Sequence, residues 1–92
     1  MRSSDLDGVD FSGADLSGAD MSLSSLDKAD FEGAIFTEAV LNDANLRESN
    51  LKNAILDKAD MKRADLEKSD LSGSKLNGAN METVSLKFTT LK

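Results

Sequence analysis

The chain has 92 residues and a net charge of −6, from 11 basic and 17 acidic groups, a size that suits one domain spanning 1–92 and leaves no room for a second. Cysteine, histidine, proline, tryptophan and tyrosine are all absent, which removes disulfides, thiolate and imidazole metal ligands and the commonest general bases; no catalytic residue, cofactor or metal is expected. No stretch approaches the roughly 20 apolar residues of a membrane span, and Met1-Arg2-Ser3-Ser4-Asp5 has no apolar run after its basic residue, so a soluble cytoplasmic protein without a membrane partner is expected.

In chain order, the first half is the acidic one. Residues 1–50 hold three basic groups (Arg2, Lys28 and Arg47) against eleven acidic, whereas residues 51–92 hold eight basic against six acidic. Such a field argues against direct nucleic-acid binding, which needs Lys and Arg gathered in a patch. A protein partner with a basic surface fits better.

From Leu6 onward every fifth residue is large and apolar. The series runs Leu6, Phe11, Leu16, Met21, Leu26, Phe31, Phe36, Leu41, Leu46, Leu51, Leu56, Met61, Leu66, Leu71, Leu76, Met81, Leu86 and Leu91, with a compact residue two places before each, from Ser4 and Val9 to Thr89. A five-residue period fits neither regular element: on a helix it scatters the stripe around the cylinder, and on a continuous strand it sends successive large residues to opposite faces. The chain must therefore turn at each unit. A bend of about 90° makes each unit one side of a square coil, and four units, or 20 residues, close one turn.

Units such as Ala14-Asp15-Leu16-Ser17-Gly18, Ala44-Asn45-Leu46-Arg47-Glu48 and Ala64-Asp65-Leu66-Glu67-Lys68 resemble the A(D/N)LXX motif of the pentapeptide-repeat proteins. The resemblance covers nearly the whole chain. It implies an all-β fold, a right-handed quadrilateral parallel β-helix or solenoid of about four and a half 20-residue coils, with the large and compact residues inside. Ser25, Ile35, Val40, Ile55, Lys75, Ser85 and Thr90 depart from the motif where it carries Asp or Asn.

Two patterns support this geometry independently of the family. All six glycines, from Gly8 to Gly78, fall two residues after a large residue, where a type II turn needs positive φ. Lys28, Glu38, Glu48 and Lys58 occupy the same place and are expected to turn differently. Stacking n on n+20, about 4.8 Å away, also sets opposite charges against each other. At the two outward variable positions the pairs are Asp27–Arg47, Arg47–Glu67, Glu67–Lys87, Glu32–Lys52, Lys62–Glu82, Lys28–Glu48, Glu48–Lys68, Glu38–Lys58 and Asp43–Arg63, against one like-charged pair, Asp7–Asp27. The same stacking sets Phe11 on Phe31.

Three surface features are candidates for function. Asp5, Asp10, Asp15, Asp20 and Asp30 form an acidic surface, but each holds the motif's Asp position, where a short carboxylate bonds nearby backbone amides at a turn. Ile35 and Ile55 stack on one outer face with Val40 on the next; they are read either as a partner-binding surface or as β-branched residues that favour extended backbone. At the C-terminal end Leu86, Phe88 and Leu91 lack a recognisable cap; Phe88 either folds over the last coil or meets a second molecule, and a homodimer with its interface between C-terminal ends is expected. The leading functional expectation is a non-enzymatic interaction or scaffold module with rigid flat faces. The alternative, which the resemblance supplies, is an acidic DNA mimic that binds a type II topoisomerase (gyrase).

Overall fold

The computed structural model describes residues 5–92; the inward place expected for Ser4 lies outside them. Fourteen parallel bridges join n to n+20, from Asp5 with Ser25 to Asp70 with Thr90. The 20-residue closure read from the charges is thus the closure of the backbone. Each bridge falls on the residue before the large one, and two backbone bonds flank it: Phe11 N–H donates to the Asp30 carbonyl at 2.7 Å, and Asp30 N–H to the Val9 carbonyl at 2.8 Å.

Extended structure is confined to these single bridging residues, and no continuous strand forms among the described residues. The reason is the turn. In every unit the carbonyl of the large residue accepts the N–H three places on, at 2.9–3.3 Å from Leu6–Val9 to Leu86–Thr89. Two residues of each five are thereby spent on the corner.

All seventeen corner positions, from Gly8 to Phe88, have positive φ: 68–72° at the glycines and 55–61° at the eleven other residues. With the three-on hydrogen bond, that is the type II arrangement. Lys28, Glu38, Glu48 and Lys58 do not turn differently, as their φ of 60°, 60°, 55° and 58° show. Closure into the coil overrides local preference, because the corner N–H also feeds the next coil: Lys28 donates to the Arg47 carbonyl and Glu48 to that of Glu67, each at 2.9 Å. A different turn would break that bond as well.

The interior is filled. The large residues from Leu16 to Leu71 and the alanines from Ala29 to Ala64 are buried, and Leu6, Phe11, Leu76 and Met81 pack against them from the two ends. Phe11 stacks on Phe31 with centroids 5.7 Å apart, and Phe36 meets Phe31 edge-on at 5.0 Å. Serine replaces alanine inside at Ser49 and Ser69, whose hydroxyls donate to the Leu46 and Leu66 carbonyls at 2.7 Å, so no buried hydroxyl is orphaned there. No helix among the described residues is long and apolar enough to cross a membrane.

Two substitutions test this inside and outside assignment. Leu46→Asp sets a carboxylate where no partner exists and is expected to abolish the cooperative thermal transition. Arg47→Ala, on the solvent side of the same unit, is expected to cost less than about 1 kcal/mol. Equal losses in circular-dichroism melts would reverse the assignment. The corner is tested separately at Gly18, where an added Cβ meets nothing within 4 Å. Gly18→Ala is therefore expected to lose about 1 kcal/mol from torsional strain alone, and Gly18→Val more.

Candidate functional site

The Asp and Asn residues at bridging positions act as caps on their own turns. Asp10 accepts the Ser12 N–H at 2.9 Å, Asp15 that of Ser17 and Asp20 that of Ser22 at 3.1 Å, and Asp30 that of Glu32 at 3.0 Å; Asp5 makes a longer contact of 3.4 Å to Asp7. The Ser12 and Ser17 hydroxyls also donate to Asp10 and Asp15 at 2.7 Å. Those hydroxyls, and then the backbone amides, hold both carboxyls below the ordinary carboxylate value. All five acidic candidates thus serve the turns.

Where the cap is missing, two turns take one from the coil below. Neither Ser25 nor Lys75 caps its own turn, and Asp7 and Asp57 accept the N–H groups of Asp27 and Asn77 instead, both at 3.1 Å. Asp7 also receives the Ser25 hydroxyl at 2.6 Å. This is how the like-charged stack of Asp7 on Asp27 is tolerated. Asp27 bears the cost: burial, and then the nearby Asp7 charge, push its carboxyl above the ordinary value, and its buried Oδ1 has no hydrogen-bond partner.

The ion pairs keep the register but shift sideways. Arg63 grips Asp43 with Nε–Oδ1 at 2.8 Å and Nη2–Oδ2 at 3.0 Å, and Arg47 reaches Glu67 at 3.5 Å. Both pairs stack as expected, whereas none of the other seven expected pairs closes to an ion pair among the described residues. Arg47 also lies 3.8 Å from Asp65, and Lys52 meets Asp70 at 3.8 Å rather than Glu32, which accepts from the Asn50 amide at 3.3 Å. Long side chains lean toward the capping carboxylates beside them.

Ile35 and Ile55 lie on the third side of the coil, formed by the units at 14–18, 34–38, 54–58 and 74–78. They bridge each other directly, with Asp15 bridged to Ile35 and Lys75 to Ile55. Both are half-buried, as is Val40 on the adjoining fourth side, where Asp20 and Asp60 flank it. These three units lack a capping side chain. As a result no hydrogen bond to the Thr37, Asn42 or Asp57 N–H is found among the described residues.

At the C-terminal end Leu86, Phe88 and Leu91 are 40%, 70% and 59% exposed. Phe88 does not fold over the last coil; its corner φ of 60° directs it outward, and the Lys87 ammonium lies 5.4 Å from its ring centre. Leu23, 52% exposed at a different corner column of the coil, with Asp43, Arg63 and Thr83, is an apolar surface residue that the sequence reading missed. Its offset of two from Met21 is the available signal.

A family model for pentapeptide repeats (8 copies) matches residues 4–43 and 44–82. The chain belongs to the pentapeptide-repeat family. Among solved members, it is similar to HetL of the cyanobacterium Nostoc sp. strain PCC 7120, a pentapeptide-repeat protein involved in heterocyst differentiation regulation. The two are 35% identical with a TM-score of 0.89, over 92% of this chain and 39% of HetL. It is also similar to the pentapeptide-repeat protein alr5209 of Nostoc PCC 7120, at 31% identity and a TM-score of 0.67, over 96% of this chain and 76% of that one. The chain thus spans about two fifths of HetL. No curated protein matches it by sequence. Likeness to these structures gives the chain their fold, a right-handed β-helix.

Asp27 supplies a pH test of the surface electrostatics. Its folded value is raised above the ordinary 3.8, so its ionisation penalises the fold at neutral pH, and the penalty disappears as pH falls through the folded value toward 3.8. Asp27→Asn is therefore expected to raise the melting temperature at pH 7 and to leave it unchanged near pH 3. Asp10, Asp15 and Asp70 work in the opposite sense, because their depressed values give stability above about 4 that is lost on further acidification. An Asn variant less stable than the parent at pH 7 would show that the Asp27 carboxylate is favourably held.

Proposed function

We propose that the chain is a non-enzymatic interaction module, a four-sided coil of about four and a half turns whose flat outer faces bind protein. The observation that carries this reading is the Ile35–Ile55 ladder: two adjacent apolar residues at a position that is Asp or Asn in most units, bounded by one charge of each sign, Asp15 and Lys75. The interior is occupied by its own side chains, so the outer faces and ends remain for recognition. Pentapeptide-repeat proteins are in general structural or interaction modules. The exposed Leu86, Phe88 and Leu91 support a second contact, in which an apolar cover, most simply the same end of another copy, hides the C-terminal turn.

The DNA-mimic alternative needs an acidic surface along the rod, but here the charge is concentrated at one end. Residues 5–44 carry ten acidic groups and one basic, a net of −9, whereas residues 45–92 carry nine basic and seven acidic, a net of +2. In a DNA-supercoiling assay with gyrase, an excess of the chain is expected to change neither the rate nor the end point. Inhibition, or protection of the enzyme from a quinolone, would replace the interaction-module reading with the mimic.

A further inference from the structure

We infer that the third side is a docking face for a second copy of this chain, related by a two-fold axis that lies in the interface plane and crosses the coil axis at right angles. This rests on the interaction-module reading and names the partner of that face. In such a pair the coils run antiparallel, and the outward column Asp15, Ile35, Ile55, Lys75 meets its own reverse. Asp15 lies over the other copy's Lys75 and Ile35 over its Ile55, twice each by symmetry. The face has four layers, and the axis passes between the second and third, so every layer is used.

The neighbouring positions obey the same symmetry. Thr37 comes opposite Asp57, and at the corner Glu38 comes opposite Lys58, so no like charges meet. Ile35 provides no cap, and the Thr37 N–H has no intramolecular acceptor among the described residues, so this turn is not held to its own chain by a side chain. The corner on the other flank holds Gly13, Gly33, Asn53 and Gly73, which leaves little to hold the two sheets beyond their ordinary separation of about 10 Å.

The other three sides fail this symmetry. On the first, centred on Asn45, Asp27 meets Glu67 and Arg47 meets itself. On the second, Asp30 meets Asp70 and Lys52 meets itself. On the fourth, Val40 is set against Asp60. Self-complementarity of apolar and charged groups together belongs to the third side alone.

The contact is small. The Cα extents are 29 × 27 × 23 Å, so one side offers at most roughly 600 Å² per copy, about 1,200 Å² for the pair, at the lower limit for stable complexes. A dimer with a dissociation constant in the micromolar range or weaker follows.

The test is sedimentation equilibrium from about 10 to 500 μM, on the full chain carrying Phe88→Glu so that any C-terminal contact is removed. A monomer–dimer equilibrium is expected. Lys75→Glu and Asp15→Lys should each weaken it about tenfold, and the double exchange should return it to within about threefold of the parent. Within one chain, residues 15 and 75 are three layers, about 14 Å, apart, so this restoration can arise only between copies. Ile55→Asp, which restores the repeat's usual residue and a cap for the Asp57 N–H, should abolish the dimer while the thermal transition is kept; it carries the test if Asp15→Lys impairs folding. A monomer throughout the range, a dimer indifferent to Ile55→Asp, or a double exchange without restoration overturns the inference. The gyrase assay is independent of all three results, so the module reading and the self-docking inference fail separately.

Discussion

Every other feature of this molecule depends on the hydrogen-bonded corner. The carbonyl of each large residue is tied to the N–H three places on, and the residue between sits at positive φ, seventeen times in succession. Eleven of those residues are not glycine and hold a conformation that costs an L-residue on the order of 1 kcal/mol. The coil holds nine of them there because the strained residue's own N–H pairs with the carbonyl of the coil above, as Glu48 does with Glu67 and Arg63 with Glu82, both at 2.9 Å; Thr83 and Phe88 lie in the last turn. Relaxing one corner would open two hydrogen bonds and lift a large side chain out of a close-packed interior.

That corner also decides which residues are free to take part in recognition. Of each five-residue unit, two side chains fill the interior, one makes the corner, and two face outward. Of those two, the bridging one is ordinarily committed to capping the turn through its carboxylate or amide, as Asp65 does for Glu67 at 3.0 Å. Surface chemistry therefore changes most where capping is abandoned. Ile35 and Ile55 remove a local hydrogen bond from each of two stacked turns and present aliphatic surface in its place. The two effects act together, since each loosens the face's commitment to its own chain.

Much of this was legible in the sequence. The period of five, the absence of charge from two of its positions and the closure after twenty residues are single-residue patterns that need no atomic detail. The Phe11–Phe31 stack and the Ile35–Ile55 bridge followed directly from them. What escaped was set by geometry rather than residue type. Corner residues such as Lys58 and Leu23 show no local preference for positive φ and adopt it because the coil closes. The partners of Lys52 and Arg47 depend on how far a flexible side chain leans, and stacking by twenty names only the vertical choice. The carboxylates of Asp7 and Asp57 that cap the turn above require knowing where an amide points, which no periodicity reports. Of the candidate surface, the apolar column was visible as a departure from the motif, while the uncapped amides that accompany it were not.

Those caps between coils carry a consequence for how such a chain can change in length. The interior repeats every five residues, so adding or deleting one unit leaves the buried packing in register. The exterior repeats only every twenty: a one-unit insertion between Asp57 and Asn77 would slide the carboxylate round to the wrong side, and the Asp43–Arg63 grip would be lost in the same way by an insertion between its partners. Growth by single units within the coil is therefore permitted by the core and penalised by the surface, whereas an inserted whole turn keeps each outer column on its own side and restores the vertical partnerships when it repeats the coil it adjoins. Internal length variants that keep these partnerships should differ from this chain in steps of four repeats.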